Sequence, residues 1–153
     1  MKPNIRFYET IGKPNSATIT IGKIKIYLHN IEWENPRELW FTMACPDLDI
    51  DPFSQVIYVK NKVLSCCVFG WDSDKKIEMP YENKISKKTY RGVIRKVFTS
   101  DKFVNNYTNI LLDKIYNIDH ETTDMENRIV KLTEKIAELK DKQLKLMESQ
   151  VIS

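Results

Sequence analysis

The chain has 153 residues, a formal net charge of +3, 42% hydrophobic residues and 29% charged residues. This length allows one globular domain of about 100 to 120 residues followed by a long helix. The composition excludes a chain that is disordered throughout, and the small net charge does not by itself indicate nucleic-acid binding.

No apolar run reaches the roughly 18 residues that a membrane span needs, and the N-terminus lacks the apolar core of a signal peptide. The three cysteines are an odd number, and Cys66 and Cys67 are adjacent within an apolar run. Such a pair is more typical of small buried groups than of a disulfide. The sequence therefore predicts a cytoplasmic protein that does not enter a membrane.

Residues 1–82 are predicted to form an antiparallel β-rich head. Polar turns separate short apolar or alternating segments, which predict strands at 4–10, 17–21, 24–29, 39–44, 55–60, 63–69 and 77–79. Asn61 and Lys62 form a two-residue connection typical of a hairpin, whereas Gly22 suggests a bulge. With a polar connection at 32–37 and an acidic loop at 45–53, the head is expected to be a sandwich or a partly open barrel of five to seven strands.

Residues 83–118 are predicted to be a helical segment that packs on the head. Ser86 can cap a first helix, whose apolar face comprises Tyr90, Val93, Ile94, Val97 and Phe98. Ser100 and Asp101 are predicted to open a second helix, with apolar residues at Phe103, Tyr107, Ile110, Leu111 and Ile115. The heptad register of the last helix extends back through Ile118, Ile115 and Leu111, so this segment could join the coil, with a break expected at residues 119–123.

Residues 123–150 are predicted to form a coiled-coil-like oligomerisation helix that begins at a capping box made by Thr123 and Glu126. Its apolar residues are spaced alternately by four and three: Met125, Ile129, Leu132, Ile136, Leu139 and Leu146. The isoleucines fall at heptad position a and the leucines at d, a combination that favours two strands in parallel coiled coils. The predicted fold is therefore α+β, with a β-rich head, helices and a C-terminal helix that pairs with copies of itself.

The apolar stripe of this helix is wider than a strict a/d seam, because Val130, Ala137 and Leu144 occupy b and Met147 occupies e. A wider stripe also suits a bundle of three or four helices, or a helix that folds back on its own head. The sequence therefore predicts a dimer or a higher oligomer.

Three aspartates alternate in the acidic loop: Asp47, Asp49 and Asp51. Oxygen-rich clusters suit magnesium or calcium, but the calcium-loop pattern fails because its sixth position is Pro52 and its twelfth is Tyr58. We interpret this loop as an acidic surface for a basic partner, and the alternative interpretation is a metal contact.

Four basic residues, Lys84, Lys88, Arg91 and Arg95, are spaced by four, three and four and are predicted to line one ridge of the first helix. Such a ridge can follow a phosphate backbone, although a solvated helix face has the same pattern. Aromatic side chains of the head could stack on bases or could form the core: Trp33, Trp40, Phe41, Tyr58, Phe69 and Trp71.

Catalytic motifs are not found in the sequence. His29 could serve a cysteine nucleophile, but nothing in the spacing brings it to Cys45, Cys66 or Cys67. The chain has no glycine-rich phosphate loop, no G-x-S-x-G, no H-E-x-x-H and no C-x-x-C motif. No catalytic residue, cofactor or metal is predicted.

The leading hypothesis is a non-enzymatic homo-oligomer that binds another macromolecule, with a protein as the main candidate, because the C-terminal helix multiplies the heads. The Lys-, Asn- and Ile-rich composition suggests a phage or mobile-element protein that inhibits a protein in the host cytoplasm. The alternatives are a nucleic-acid-binding protein that uses the basic ridge and the aromatics, and a metal-dependent phosphoryl-transfer enzyme at the aspartates. The order of elements resembles, in outline, the head-and-stalk arrangement of some DNA-repair and centriole scaffold proteins.

Overall fold

The computed structural model describes residues 2–67, 76–82, 84 and 86–152. Contacts between residues divide the chain into two compact units, Met1–Leu111 and Leu112–Ser153. The first unit contains a β-rich head with helices, and the second is helical. The predicted α+β class is confirmed.

The head contains one seven-stranded antiparallel sheet, in which each strand pairs with the next along the chain. The strands are β1 (Asn4–Tyr8), β2 (Asn15–Ile21), β3 (Ile24–Asn35), β4 (Glu38–Cys45), β5 (Ile50–Lys60), β6 (Val63–Cys67) and β7 (Lys76–Pro80). These strands form a single half-barrel. Of the two predicted arrangements, a sandwich and a partly open barrel, the structure therefore adopts the partly open barrel.

Two tight turns set the register of the sheet. Asn61 and Lys62 have φ angles of 51° and 60°, and positive φ at both central residues is what a type I′ hairpin turn requires. The predicted hairpin between β5 and β6 is therefore confirmed. Gly22, at φ 62°, lies in another two-residue turn rather than in a bulge, since Ile21 pairs directly with Ile24.

Two segments predicted as connections are partly strand. The polar residues from Glu32 to Asn35 belong to β3, where Glu32 pairs with Trp40 and Asn35 pairs with Glu38. The acidic loop is also shorter than predicted, because a 3₁₀ turn covers Pro46–Leu48 and β5 begins at Ile50. In both cases backbone pairing with a neighbouring strand outweighs the polar composition, since polar side chains can occupy the outer face of a sheet.

Two helices complete the head by burying the inner face of the sheet. Helix α1 (Tyr90–Phe98) follows a 3₁₀ turn at Lys87–Thr89, and helix α2 spans Asp101–Ile152. The shared core includes Ile19, Ile26, Leu28, Leu39, Phe41, Met43, Ile57 and Leu64 from the sheet, together with the predicted α1 face and Phe103 and Tyr107 of α2. The apolar face predicted for α1 and the predicted burial of Phe103 and Tyr107 are therefore confirmed, whereas Ile115 of the predicted α2 face is exposed.

The expected break at residues 119–123 is wrong, because α2 is continuous from Asp101 to Ile152. This range contains no glycine and no proline. The hydroxyls of Thr122 and Thr123 donate hydrogen bonds to the carbonyls of Ile118 and Asp119, at 2.8 and 3.0 Å. Thr123 is therefore an interior helical residue rather than the predicted N-cap.

Candidate functional site

The predicted oligomerisation residues are exposed along α2. Met125, Ile129, Leu132, Ile136, Leu139 and Leu146 each have between 53% and 64% of their surface accessible. Because a helix in a globular protein normally buries its apolar stripe, these residues form a surface that another helix can cover. We call this surface the seam.

The continuity of α2 lengthens the seam toward the head. Ile115 falls at heptad position a and Ile118 at d of the same register, and they are 47% and 61% exposed. Leu111, at the preceding d position, is partly buried against the core of the head. The exposed seam therefore runs from Ile115 to Leu146, or about 47 Å at 1.5 Å per residue.

The four cations predicted to share a helical ridge are divided by the start of α1. This helix begins at Tyr90, so Lys84 and Lys88 precede it, and only Arg91 and Arg95 belong to it. The helix starts late because a 3₁₀ turn follows Ser86, whose backbone N–H donates to the Thr89 hydroxyl at 2.9 Å. The prediction of a single ridge of four cations is therefore wrong.

Arg91 is paired with an acidic residue at the end of β1. Its Nε and Nη2 atoms each lie 2.8 Å from a carboxylate oxygen of Glu9, and the Tyr90 hydroxyl also donates to Glu9. These hydrogen bonds, with that from Arg91 first, hold the pKa of Glu9 below its ordinary value of 4.5. Arg91 is thus engaged within its own chain in a bidentate pair.

Phe7 of β1 completes this contact. Its ring meets Tyr90 edge to face, with 5.9 Å between the ring centroids. The guanidinium carbons of Arg91 and Arg95 lie 5.5 and 5.0 Å from the same ring centroid, within the range of cation–π attraction. These contacts hold α1 against the edge strand β1. Sequence patterns did not predict them, because Glu9 and Arg91 are 82 positions apart.

Two cavities adjoin this contact, and both are bordered by Asn15 and Tyr90. One of about 450 Å³ is also lined by Glu9, Lys88 and Arg91, and another of about 210 Å³ by Ile31, Glu32 and Trp33. The first lining combines two cations with the carboxylate that already binds one of them. This arrangement offers neither a nucleophile with its base nor a concentrated positive charge.

The three aspartates of the acidic loop are held in different local structures. Asp47 lies in the 3₁₀ turn and accepts a hydrogen bond from the Lys25 backbone N–H at 3.2 Å, whereas Asp49 adopts a left-handed conformation at φ 57° and Asp51 belongs to β5. Within the ranges that the structure describes, no group of three His, Cys, Asp or Glu residues is arranged to hold a metal ion. The aspartates therefore form an exposed acidic rim, not a cluster.

The head aromatics that the structure describes do not form one stacking platform. Phe41 is buried in the core against Phe98, while Tyr58 is 46% exposed on the other face of the sheet. The ring N–H groups of Trp33 and Trp40 are buried without a hydrogen-bond partner. Phe69 and Trp71 lie outside the described residues.

The three thiols differ in exposure. Cys45 and Cys66 are buried, and burial raises the pKa of both, that of Cys66 to about 12. Cys67 is partly exposed, and all three are free thiols. Because a thiolate is the reactive form, Cys45 and Cys66 are poor nucleophiles at neutral pH.

Reaction of the native protein with a thiol reagent at pH 8 is expected to modify one cysteine per chain quickly, Cys67. At that pH a group of pKa 12 is ionised in about one molecule in 10,000, and burial also denies the reagent access. Absorbance of the released thiolate measures the reaction, with the protein in urea as the control in which all three react. A fast phase that survives Cys67→Ser would contradict this assignment.

The chain matches no protein-family model, no curated protein and no solved structure. Among the described residues, no helix combines the length and the apolar character that crossing a membrane requires.

Proposed function

We propose that the chain is a cytoplasmic, non-enzymatic homodimer whose C-terminal helices pair along the seam and whose heads bind a protein partner. The observation that carries this proposal is the exposure of the seam, from Ile115 to Leu146, on a helix of 52 residues. An isolated helix in water gains little stability from propensity alone, so a helix with an apolar stripe of this length is typical of one that packs against another.

A second copy of the chain is the occupant that fits the seam. The repeat of four and three presents matching knobs and holes on two identical helices, which is the requirement for coiled-coil packing. In parallel coiled coils, isoleucines at a with leucines at d, as at Ile129 and Leu132, favour two strands. Fully burying one such side chain contributes about 1.5 to 3 kcal/mol before the costs of association are subtracted.

Pairing the helices doubles the number of heads, and two linked weak sites can raise apparent affinity by about 10² to 10⁴. A protein is the proposed partner, because the charge of Arg91 is paired with Glu9 and because Asp47, in the 3₁₀ turn, and Asp49, directly after it, are exposed. An acidic rim suits a basic protein surface. The composition remains the reason to propose a host protein as that partner.

Sedimentation equilibrium of the full chain over a range of concentrations tests the proposal. We expect the mass of two chains at micromolar concentration and a shift toward one chain on dilution. A mass of one chain at every concentration would overturn the proposal, since the seam would then lack the partner on which it depends.

A further inference from the structure

The charges beside the seam change sign along α2. Of the charged residues at heptad positions e and g, which flank the seam, most are acidic before its midpoint and all are lysines after it. The acidic residues are Asp119, Glu121 and Glu126, and the lysines are Lys135, Lys140 and Lys142. All six are exposed. Lys114 and Arg128 are the cations at flanking positions of the earlier half.

Within the part of the chain that the structure describes, these six charged residues form no ion pair. The ion pairs on this part of α2 lie on the opposite side of the helix, at positions c and f, where His120 is 3.8 Å from Asp124 and Lys145 is 3.3 Å from Asp141. Among the described residues, none of the six has an ion-pair partner within 4.0 Å. They are therefore positioned to interact with a second helix.

In a parallel pair, each g residue faces the e residue five positions later in the partner. This places Glu121 opposite the partner's Glu126 and Lys135 opposite the partner's Lys140, and both contacts are repulsive. Lys114 opposite the partner's Asp119 is the attractive contact in this arrangement. When both symmetry-related copies of each contact are counted, a parallel pair has more repulsive than attractive contacts between residues at e and g.

In an antiparallel pair, e residues face e residues and g residues face g residues. Full overlap of the two seams places Ile129 opposite the partner's Leu132. Two charged contacts are then attractive and occur twice by symmetry: Asp119 with the partner's Lys140, and Glu121 with the partner's Lys142. Arg128 with the partner's Lys135 is the repulsive contact of this register.

The same register also matches two apolar residues at flanking positions. Leu112 and Met147 both occupy e, where a charged or polar residue is usual, and they are 57% and 56% exposed. Full antiparallel overlap places each opposite the other in the partner. The polar residues at position a disfavour this register. Thr122 and Gln143 face the partner's Leu139 and Ile118 in the antiparallel pair, whereas in a parallel pair each would face its own copy in the partner.

From these contacts we infer that the two helices pair in antiparallel orientation, with Ile129 opposite the partner's Leu132. This inference rests on the proposed dimer and specifies its geometry. Residue 112 of one chain then lies about 52 Å from residue 112 of the other, because 35 residues separate it from its contact, Met147. The N-terminal ends of the two paired segments therefore lie at opposite ends of the coil.

Lys140→Glu distinguishes the two orientations, because it is expected to raise the dissociation constant of an antiparallel dimer and to lower that of a parallel dimer. In the antiparallel pair the substitution places a carboxylate at position 140 opposite the partner's Asp119, so we expect the dissociation constant of the dimer to rise about tenfold, since two symmetric contacts become repulsive. In a parallel pair the new carboxylate faces the partner's Lys135, and the dimer would tighten. Residues three and four positions from Lys140 are uncharged, so contacts within the helix do not mask the result.

Asp119→Lys, added to Lys140→Glu, provides the second step. The antiparallel pair regains opposite charges and is expected to recover the native dissociation constant within about twofold. A parallel pair would instead gain a repulsion between the new ammonium group at position 119 and the partner's Lys114. Lys131→Glu, at the outer position c, is the matched control and should leave the native constant within about twofold.

Sedimentation of the full-length variants measures these constants. Weakening by Lys140→Glu followed by recovery supports the antiparallel pair. Tightening, or no change beyond that of the Lys131→Glu control, overturns the orientation while leaving the dimer intact. A native chain that is monomeric overturns the proposed function as well, and a native trimer overturns two-stranded antiparallel pairing, so the two failures are distinguishable.

Discussion

Leu132→Asp is expected to convert the dimer into separate chains. Leu132 occupies position d near the centre of the seam and is 61% exposed in the single chain. In the dimer, the Leu132 side chains of both chains would be buried. Replacing it removes two apolar side chains worth up to about 3 kcal/mol each and puts two carboxylates into the seam. We expect the dissociation constant to rise by at least about 10⁴, measured by sedimentation equilibrium.

Leu144→Asp is the matched control for this prediction. Leu144 is also an exposed leucine of the same helix, at 55%, but it falls at position b, outside a two-stranded seam. The same substitution there is expected to change the dissociation constant less than about fivefold. Equal dissociation by the two variants would show that the pairing surface includes b, as in the three- or four-helix bundle that the wide stripe also allows.

The head was largely predictable because most of its strands have one buried face. The period of two in β2 and β3 placed Ile19, Ile21, Ile26 and Leu28 on a common side, and all four are buried. Along these strands, the burial of one face and the pairing of the backbone both favour the strand conformation. Where they act differently, as at Glu32, the polar side chain indicated a loop although backbone pairing makes a strand.

The helix boundaries were predicted less well because capping signals are local. Thr123 and Glu126 have the spacing of a capping box, but a threonine hydroxyl can equally donate to a carbonyl four positions earlier, as it does here to Asp119. A cap operates only where the preceding residues leave the helical conformation. Residues 112–122 contain neither glycine nor proline, so nothing in that stretch interrupts the helix.

The contact between Glu9 and Arg91 could not be inferred from spacing. Arg91 and Arg95 repeat with helical period, which suggested a ridge for phosphates, but their contacts are Glu9, directly after β1, and Phe7, within β1. Glu9 and Phe7 belong to a different sequence neighbourhood and have no pattern that points to a distant helix. Long-range ion pairs depend on the folded topology, so they appear only when β1 and α1 are brought together.

The seam and the extension of its heptad register back through Ile118 and Ile115 were predicted from sequence, but a break was expected at residues 119–123 that the helix does not have. Exposure of the six predicted residues is consistent with a pairing surface, and continuity of α2 adds Ile115 and Ile118 to it. The added turns bring in Leu112, Asp119 and Glu121, whose contacts distinguish the two helix orientations.

Phe98→Ala is expected to lower the free energy of unfolding of the head by about 3 to 5 kcal/mol. Phe98 is 1% exposed, and its ring meets Phe41 of β4 and Phe103 of α2 at centroid distances of 6.0 and 4.8 Å. Truncation removes its burial, leaves a cavity between sheet and helices, and breaks two edge-to-face contacts. Small domains are stable by only about 5 to 15 kcal/mol, so much of that margin would be lost.

Urea unfolding followed by circular dichroism measures this loss, at one protein concentration because the proposed pairing of the chains would add stability. Tyr116→Ala is the control, since Tyr116 is 68% exposed on α2 and its removal should cost less than about 1 kcal/mol. Phe98→Leu keeps most of the apolar volume and should fall between the two variants. A loss for Phe98→Ala no larger than that of the control would mean that α1 does not seal the sheet, because an aromatic ring enclosed on both sides cannot be removed without leaving a cavity.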